Sequence, residues 1–165
     1  MYSSPPPVPL PQPFSSPPQQ ERRAEPLSNP LRATRSAMAA SQSVMIVDDD
    51  NALLTVGRAI LSTMKLDIIL AHPGEEALAL LESSKCNPDL ILLDLAMPGG
   101  LSGLETFDQL QLLRPEKPVI ACSGFFGDGA EDMCRHVGFA GMLPKPYTAE
   151  SLVSIVRRIL HSHAD

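Results

Sequence analysis

The segment VMIVDDD at residues 44–50 joins a run of four apolar residues directly to three aspartates. A second segment, LILLD at residues 90–94, repeats the pattern with one aspartate, Asp94. Short apolar runs rich in branched side chains and bounded by polar or turn residues are typical of buried β-strands. A buried carboxylate without a partner is costly, so acids placed directly after two such strands indicate a neutralising cation.

The acids after the two strands predict a metal site. If the strands are parallel neighbours, Asp48, Asp49 and Asp94 meet at one edge of the sheet, where ligands of open α/β sheets gather. Three acids at one point are typical of a hard divalent cation. Mg²⁺ prefers carboxylate oxygens, water and phosphate oxygens, and it is the cation that we expect here.

Two further apolar runs precede a hydroxyl and an ammonium group. Residues 119–122 are followed by Ser123, and residues 139–143 are followed, after one proline, by Lys145. Both groups can contact an anionic oxygen. Together with the three acids they predict a site for a phosphoryl group carried on a carboxylate.

The predicted strands and helices alternate along the chain. The expected strands are residues 44–47, 66–71, 90–93, 119–122 and 139–143, and the expected helices are residues 51–64, 75–84, 104–113, 130–137 and 149–161. Strict alternation implies a parallel sheet covered on both faces, with right-handed crossovers.

Side-chain spacing predicts the helix faces and two helix caps. The first helix carries Leu53, Val56, Ile60 and Met64 at helical spacing, and the fourth carries Ala130, Met133 and Val137 on one face. Asp50 is expected to cap the first helix and Thr148 the last, with Ser151 in the place of a capping-box acid. Cys122 is expected in the core of its strand.

Four motifs in this order, VMIVDDD, LILLDLAMPGGLSG, VIACSG and LPKPY, resemble those of the receiver domains of two-component response regulators and hybrid histidine kinases. The resemblance covers about residues 43–161. It implies a flavodoxin-like, doubly wound five-stranded parallel sheet with the strand order 2-1-3-4-5. The first and third strands are then side by side, as the metal prediction requires.

The resemblance also implies a metal-ligand set and a phosphoacceptor. Asp94 would accept a phosphoryl group from a phosphohistidine and become an acyl phosphate. Asp48 and Asp49 match the acid pair that binds Mg²⁺ together with Asp94 and the backbone carbonyl of Ala96. Asp49 is the expected direct ligand, and Asp48 would act directly or through water.

Three other roles follow from the resemblance. Lys145 would contact a phosphoryl oxygen, and Asp94 in the unphosphorylated state. Ser123 would donate a hydrogen bond to a phosphoryl oxygen, with room for that group beside Gly124. Pro146 stands where the family commonly has a cis peptide bond, which would orient the lysine.

Several positions depart from the family pattern. Met142 occupies a place where the family often has an aromatic switch residue, and Tyr147 is expected to pack under the last helix instead. Gly99 and the glycine after it lengthen the loop that follows the phosphoacceptor, and glycines there suggest positive φ angles. Ala96 and Phe125 occupy the positions that set hydrolysis of the acyl phosphate.

The composition divides the chain into two parts. Residues 1–43 hold 10 of the 17 prolines and, with four Arg and two Glu, a charge of +2, so we expect a disordered or extended segment. It is a linker, a proline-rich docking ligand, or the result of a start codon placed before Met38. Residues 44–161 form the expected receiver domain. Of the chain's net charge of −6, the part after residue 43 carries −8, which argues against direct nucleic-acid binding.

The leading hypothesis is a phosphorylatable receiver in a phosphorelay that catalyses only its own phosphotransfer and dephosphorylation. A histidine kinase or a histidine-phosphotransfer protein would be the donor, and a downstream protein would bind through residues 130–160. No output domain is expected, because the sequence ends about four residues after its last predicted helix. No membrane contact is expected, because no long apolar stretch appears. Three cysteines without a secretion signal suggest reduced thiols and a cytoplasmic location. The alternatives are a receiver-like docking module and a phosphatase with an aspartate nucleophile, which needs a second acid where Ala96 stands.

Overall fold

The computed structural model describes residues 41–163, in which five strands alternate with five helices. The strands are β1 Ser43–Val47, β2 Asp67–Ala71, β3 Leu90–Asp94, β4 Val119–Ser123 and β5 Gly141–Pro144. The helices are α1 Asn51–Leu61, α2 Gly74–Glu82, α3 Gly103–Leu113, α4 Ala130–Val137 and α5 Ala149–Ser162, and a 3₁₀ turn at Ser62–Met64 extends α1. The expected disorder of residues 1–43 falls, except for its last three residues, outside the described residues.

The five strands form one parallel sheet in the order β2-β1-β3-β4-β5, which confirms the predicted α/β fold and strand order. Val47 of β1 is in register with Leu93 of β3, so both strands end at the same level. Asp94 is in register with Cys122 of β4, and Ser123 with Pro144 of β5. The residues that follow these strand ends therefore lie along one edge.

Two apolar layers cover the sheet, because alternate residues of each strand point to opposite faces. Met45 and Val47 pack on one face with residues of α2, α3 and α4, among them Phe107. Val44 and Ile46 pack on the other with residues of α1 and α5. All five residues of β3 and of β4 are buried, including the predicted core residue Cys122. No helix within residues 41–163 has the length and apolar content to cross a bilayer.

The buried face of α1 differs from the predicted one. Leu54, Gly57 and Leu61 are buried, and the predicted residues Ile60 and Met64 pack partly buried against the same layer. Val56, by contrast, is 49% exposed. A Cβ atom on Gly57 would lie 3.1 Å from the Cδ1 atom of Ile46. The helix packs on the strand through its glycine, and spacing of large apolar residues does not reveal such a contact.

The face of α4 and the start of β5 also differ from prediction. Ala130 and Cys134 are the buried residues of α4, while Met133 and Val137 are exposed. The fifth strand begins at Gly141, two residues later than expected. Phe139 instead packs in the core, where its ring stacks on that of Phe107 with centroids 3.9 Å apart.

Both predicted helix caps are present. The carboxylate of Asp50 accepts a hydrogen bond of 2.7 Å from the backbone N–H of Ala52, at the start of α1. Thr148 and Ser151 form a reciprocal capping box at the start of α5. The first cap fixes the chain directly after the acid pair, so it contributes to the geometry of the site.

Candidate functional site

Three aspartates converge at the carboxyl edge of the sheet. Asp48 follows β1 and Asp94 ends β3, and each is only 3% exposed, while Asp49 is half-buried. One carboxylate oxygen from each of the three lies within 4.8 Å of the others. The adjacency of β1 and β3 brings them together, as the sequence predicted.

Hydrogen bonds from backbone N–H groups two residues further along the chain hold the two buried carboxylates. Oδ1 of Asp48 accepts from the backbone N–H of Asp50 at 2.9 Å. Oδ1 of Asp94 accepts from the backbone N–H of Ala96 at 3.2 Å. Each acid is thereby held by the loop that follows its own strand, and its second oxygen is left for other partners.

Lys145 provides those second oxygens with a shared partner. Its Nζ atom lies 2.7 Å from Oδ2 of Asp48 and 3.0 Å from Oδ2 of Asp94. The pair with Asp94 was expected, but the shorter contact with Asp48 was not. The backbone N–H of Lys145 donates to the carbonyl of Ser123 at 2.7 Å, which ties the lysine to β4. The Lys145–Pro146 peptide is cis, as predicted.

Charge within the cluster is only partly balanced. Desolvation by burial raises the pKa of Asp48 above its ordinary value, although hydrogen bonds from Lys145 and Asp50 oppose the shift. Burial acts to lower the pKa of Lys145, but its hydrogen bonds to Asp48 and Asp94 outweigh burial and raise that pKa. The lysine thus stays protonated, and one positive charge faces three carboxylates.

The residues present fit a magnesium ion. Their ligand atoms are all oxygens, which Mg²⁺ prefers, and they are close enough for one ion to be shared. The excess of negative charge supplies a reason for a second cation beside Lys145. Ala96 is an exposed residue that follows Asp94 by two positions.

Ser123 is buried beside this cluster, but its hydroxyl is engaged elsewhere. Its Oγ atom donates to the carbonyl of Phe125 at 3.2 Å and accepts from the backbone N–H of Phe125 at 3.1 Å. A Cβ atom on Gly124 would meet nothing within 4 Å, so the space beside the hydroxyl is open. The hydroxyl would have to release Phe125 in order to bond a group on Asp94.

The loop after β2 adds contacts that the sequence did not predict. The ring Nε2 of His72 lies 2.6 Å from the backbone carbonyl of Asp49. Oε1 of Glu75 accepts from the backbone N–H of Leu101 at 2.8 Å, in the loop that follows Asp94. These polar residues follow the end of a strand, as do the acids, and the same positional rule applied to β2 would have indicated them.

Met142, at the position where the family often has an aromatic residue, and Tyr147, after the Lys-Pro pair, also have defined places. Met142 is half-buried and packs against the core layer that contains Phe107 and Phe139. Tyr147 packs against the layer formed with α1 and α5, as predicted. The φ angle of Gly99 is 91°, which accords with the expected positive φ in the lengthened loop.

The doubly wound sheet with acids at its carboxyl edge defines a class of α/β protein that binds its ligand at the strand ends. The family model of the response regulator receiver domain matches residues 44–157. The chain therefore belongs to the response regulator receiver domain family, and it is a receiver of two-component signalling.

Two curated relatives illustrate the family. The chain is 33% identical over 117 residues to the transcriptional regulatory protein CpxR of Klebsiella pneumoniae, which covers 71% of this chain and 48% of the relative. It is 32% identical over 120 residues to the response regulator MprA of Mycobacterium bovis, which covers 73% of this chain and 51% of the relative. The chain thus spans about half the length of these relatives.

Solved structures show the same fold. A CheY-like receiver domain protein from Methanospirillum hungatei superposes with a TM-score of 0.68 at 24% identity, covering 76% of this chain and 98% of that chain. The receiver domain of the Francisella response regulator 1452 gives a TM-score of 0.67 at 24% identity, with coverages of 74% and 98%. These likenesses support the fold.

Proposed function

We propose that the domain accepts a phosphoryl group from a phosphohistidine onto Asp94. The observation that carries the proposal is the position of Asp94, buried at the sheet edge beside two other acids and 3.0 Å from the ammonium of Lys145. Phosphoryl transfer requires mainly positioning and stabilisation of charge, and both are built into this arrangement.

The chain's own residues would act as follows. A carboxylate oxygen of Asp94 attacks phosphorus, the P–N bond to the donor histidine breaks, and the departing imidazole keeps the electron pair and takes a proton. Lys145 then pairs with a phosphoryl oxygen, and the hydroxyl of Ser123 leaves Phe125 and donates to another. Mg²⁺ held by Asp48, Asp49, Asp94 and the carbonyl of Ala96 would offset the charge of the phosphoryl group.

Dephosphorylation would depend on the same edge. Ala96 offers no carboxylate or amide to orient a water molecule for attack on the acyl phosphate. Phe125 is 87% exposed, so its ring does not cover the acids in this state. The absence of a carboxylate at Ala96 also argues against the alternative of a phosphatase that uses a second catalytic acid.

The partners that we propose are a histidine kinase or a histidine-phosphotransfer protein as donor and a downstream protein that contacts residues 130–160. The free thiols of Cys86, Cys122 and Cys134 are in keeping with the proposed cytoplasmic location. The acidic charge of the domain supports protein partners over nucleic acid.

The experiment that tests the proposal is incubation with acetyl phosphate and Mg²⁺, followed by intact-mass measurement. The wild type should gain one phosphoryl group and Asp94→Asn none, while Asp108→Asn, an exposed acid on α3, should behave like the wild type. A phosphoryl group on the Asp94→Asn variant would show that Asp94 is not the phosphoacceptor. An unmodified wild type would favour the docking module that is not phosphorylated.

A further inference from the structure

Four exposed apolar side chains converge on one groove between α3 and α4. Leu104 of α3, Phe125 of the β4–α4 loop, and Met133 and Val137 of α4 are 52, 87, 63 and 45% exposed. All four line one cavity of about 260 Å³. Exposed apolar patches that form a concave surface mark interaction sites, whereas single exposed residues do not.

The floor of this α3–α4 groove is also apolar. Leu95 at the end of β3, Ala130 and Cys134 on the inner side of α4, and Phe139 before β5 complete the lining together with Phe126. Roughly 150 Å³ of apolar space suffices for a benzene-sized ring. The groove therefore has room for at least one large apolar side chain without rearrangement of its walls.

The segments that carry the groove-lining residues are acidic. Residues 104–112 and 124–134 contain Glu105, Asp108, Asp128, Glu131 and Asp132 but no Lys or Arg. Asp108 follows Leu104 by four residues on α3 and so lies on the same flank of that helix. The first cations after the two segments are Arg114 and Arg135. Arg114 donates to the backbone carbonyl of Leu81, and Arg135 pairs with Glu131 and Asp132 of its own helix.

We propose that the α3–α4 groove binds an amphipathic helix of a partner protein whose polar face carries Lys or Arg. Its apolar side chains would enter the groove, as helices do in other apolar grooves, and its cations would pair with acids of these segments such as Asp108 and Asp128. The site lies on the flank of α4 that faces α3, so it extends the output surface beyond residues 130–160. A second copy of this chain is disfavoured because its groove would bring the same charge.

A hydrogen-bonded link connects the groove to the phosphorylation site, and this part of the inference rests on the proposed function. The hydroxyl of Ser123 both donates to and accepts from the backbone of Phe125, which has the most exposed of the four apolar side chains of the groove. If phosphorylation of Asp94 draws that hydroxyl away, the backbone of Phe125 loses two hydrogen bonds. The shape of the groove, and hence its affinity for the helix, would then change with phosphorylation.

The test uses the full chain and a fluorescent amphipathic peptide of Leu and Lys, about 14 residues or four helical turns long. A second peptide carries Glu in place of Lys, and a third has the Leu and Lys residues in alternation, which leaves no apolar helical stripe. The Leu/Lys helix should bind, and the other two should bind at least about tenfold more weakly.

Groove variants give the decisive comparison. Met133→Ser and Phe125→Ser should each weaken binding of the Leu/Lys helix about tenfold or more, since each removes an apolar anchor. Leu112→Ser is the matched control, because Leu112 is 84% exposed but does not line the groove. It should change the affinity by no more than about twofold. Equal affinities of Met133→Ser, Leu112→Ser and the wild type would overturn the proposal.

Two further measurements separate the possible failures. Equal binding of the Lys and Glu peptides would contradict the proposal that the bound helix is cationic. If light scattering shows a dimer that Met133→Ser abolishes, the groove binds a second copy of the chain instead.

Beryllofluoride with Mg²⁺ should change the affinity of the wild type for the Leu/Lys helix at least about threefold and leave the affinity of Asp94→Asn unchanged. If beryllofluoride alters amide signals near Asp94 without altering peptide affinity, the coupling is wrong. If beryllofluoride alters no amide signals near Asp94, the proposed function is wrong. Peptide binding to the untreated wild type still tests the groove in that case.

Discussion

Lys145 supplies the positive charge that partly balances the acids of the site. Its ammonium bridges Asp48 and Asp94, and within residues 41–163 these acids have no other ion-pair partner. A lysine is a compact charge on a long stem, so it can shift between oxygens that compete for it. It therefore occupies, in this state, oxygens that a divalent cation or a phosphoryl group would otherwise contact.

Replacement of Lys145 by Ala should raise the affinity for Mg²⁺ about tenfold, because it removes a positive charge that repels the ion. A unit charge about 4 Å away contributes about 4 kcal/mol at an effective dielectric constant of 20, and relaxation of the site reduces this repulsion. The same change should slow phosphoryl uptake. Titration of Mg²⁺ followed by amide NMR signals measures the first effect. Lys85→Ala, at an exposed lysine, is the control, and equal affinity in the variant and the wild type would contradict the competition.

Replacement of Asp48 by Asn should stabilise the domain by about 1 kcal/mol at pH 7 in EDTA, at the expense of function. Burial raises the pKa of Asp48 above its ordinary 3.8, so the folded state is favoured while this acid is protonated. That contribution is present below pH 3.8 and is lost as the pH rises through the raised value. The free energy of unfolding of the variant should therefore exceed that of the wild type by an amount that grows with pH in chemical denaturation, and a difference that stays constant with pH would contradict the prediction.

The β2–α2 connection is the element that braces the site from the side. Glu75 and Glu76 lie in the first turn of α2, where acids also favour the helix N-terminus. Glu75 holds the backbone N–H of Leu101, and Glu76 holds that of His72. One short helix start thus contacts both the loop after β3 and the histidine beside Asp49.

Glu75 should control the order of the loop that carries Ala96. Its hydrogen bond to the backbone of Leu101 lowers the pKa of Glu75 below the ordinary 4.5. The contact is therefore present above pH 4.5 and is lost as the pH falls through the lowered value. The amide signal of Leu101 should titrate with that midpoint in the wild type and in Glu76→Gln. It should not titrate in Glu75→Gln, and a persistent titration there would assign the contact to another acid.

The whole domain is built around two apolar layers that lie within the described residues. The largest buried side chains belong to these layers, including Met45, Leu93, Phe107 and Leu152. The family match likewise falls within residues 44–157. We therefore expect the cooperative unit of folding to lie in the part of the chain after the proline-rich segment.

A chain that begins at Met38 should keep the melting temperature of the full chain within error and should take up one phosphoryl group from acetyl phosphate. The proline-rich segment offers little apolar surface for burial, so its removal costs little stability. Thermal denaturation by circular dichroism compares the two chains under the same buffer. A fall of several degrees in the shorter chain would contradict the prediction.

The pattern of residues along the chain predicted the alternation of strands and helices and the residues that we propose for the site. Buried strands are visible in the sequence as short apolar runs, such as residues 90–93. The acids, Ser123 and Lys145 each follow such a run directly or closely. In a parallel α/β sheet every strand ends at the same edge, so position along the chain translates into position in space. The strand order came from the resemblance to a known family, since periodicity does not specify it.

The hydrogen-bond and ion-pair partners of these residues depend on the tertiary structure. The contact of Lys145 with Asp48, the bracing by Glu75, and the hold of Ser123 on Phe125 join residues whose approach depends on loop paths. The prediction for α4 was wrong for Met133 and Val137, which were placed on one face with Ala130. The small residues Ala130 and Cys134 pack inward, and Met133 and Val137 are exposed. Helical spacing shows which residues share a face, but burial depends on the shape of the surface that the helix meets.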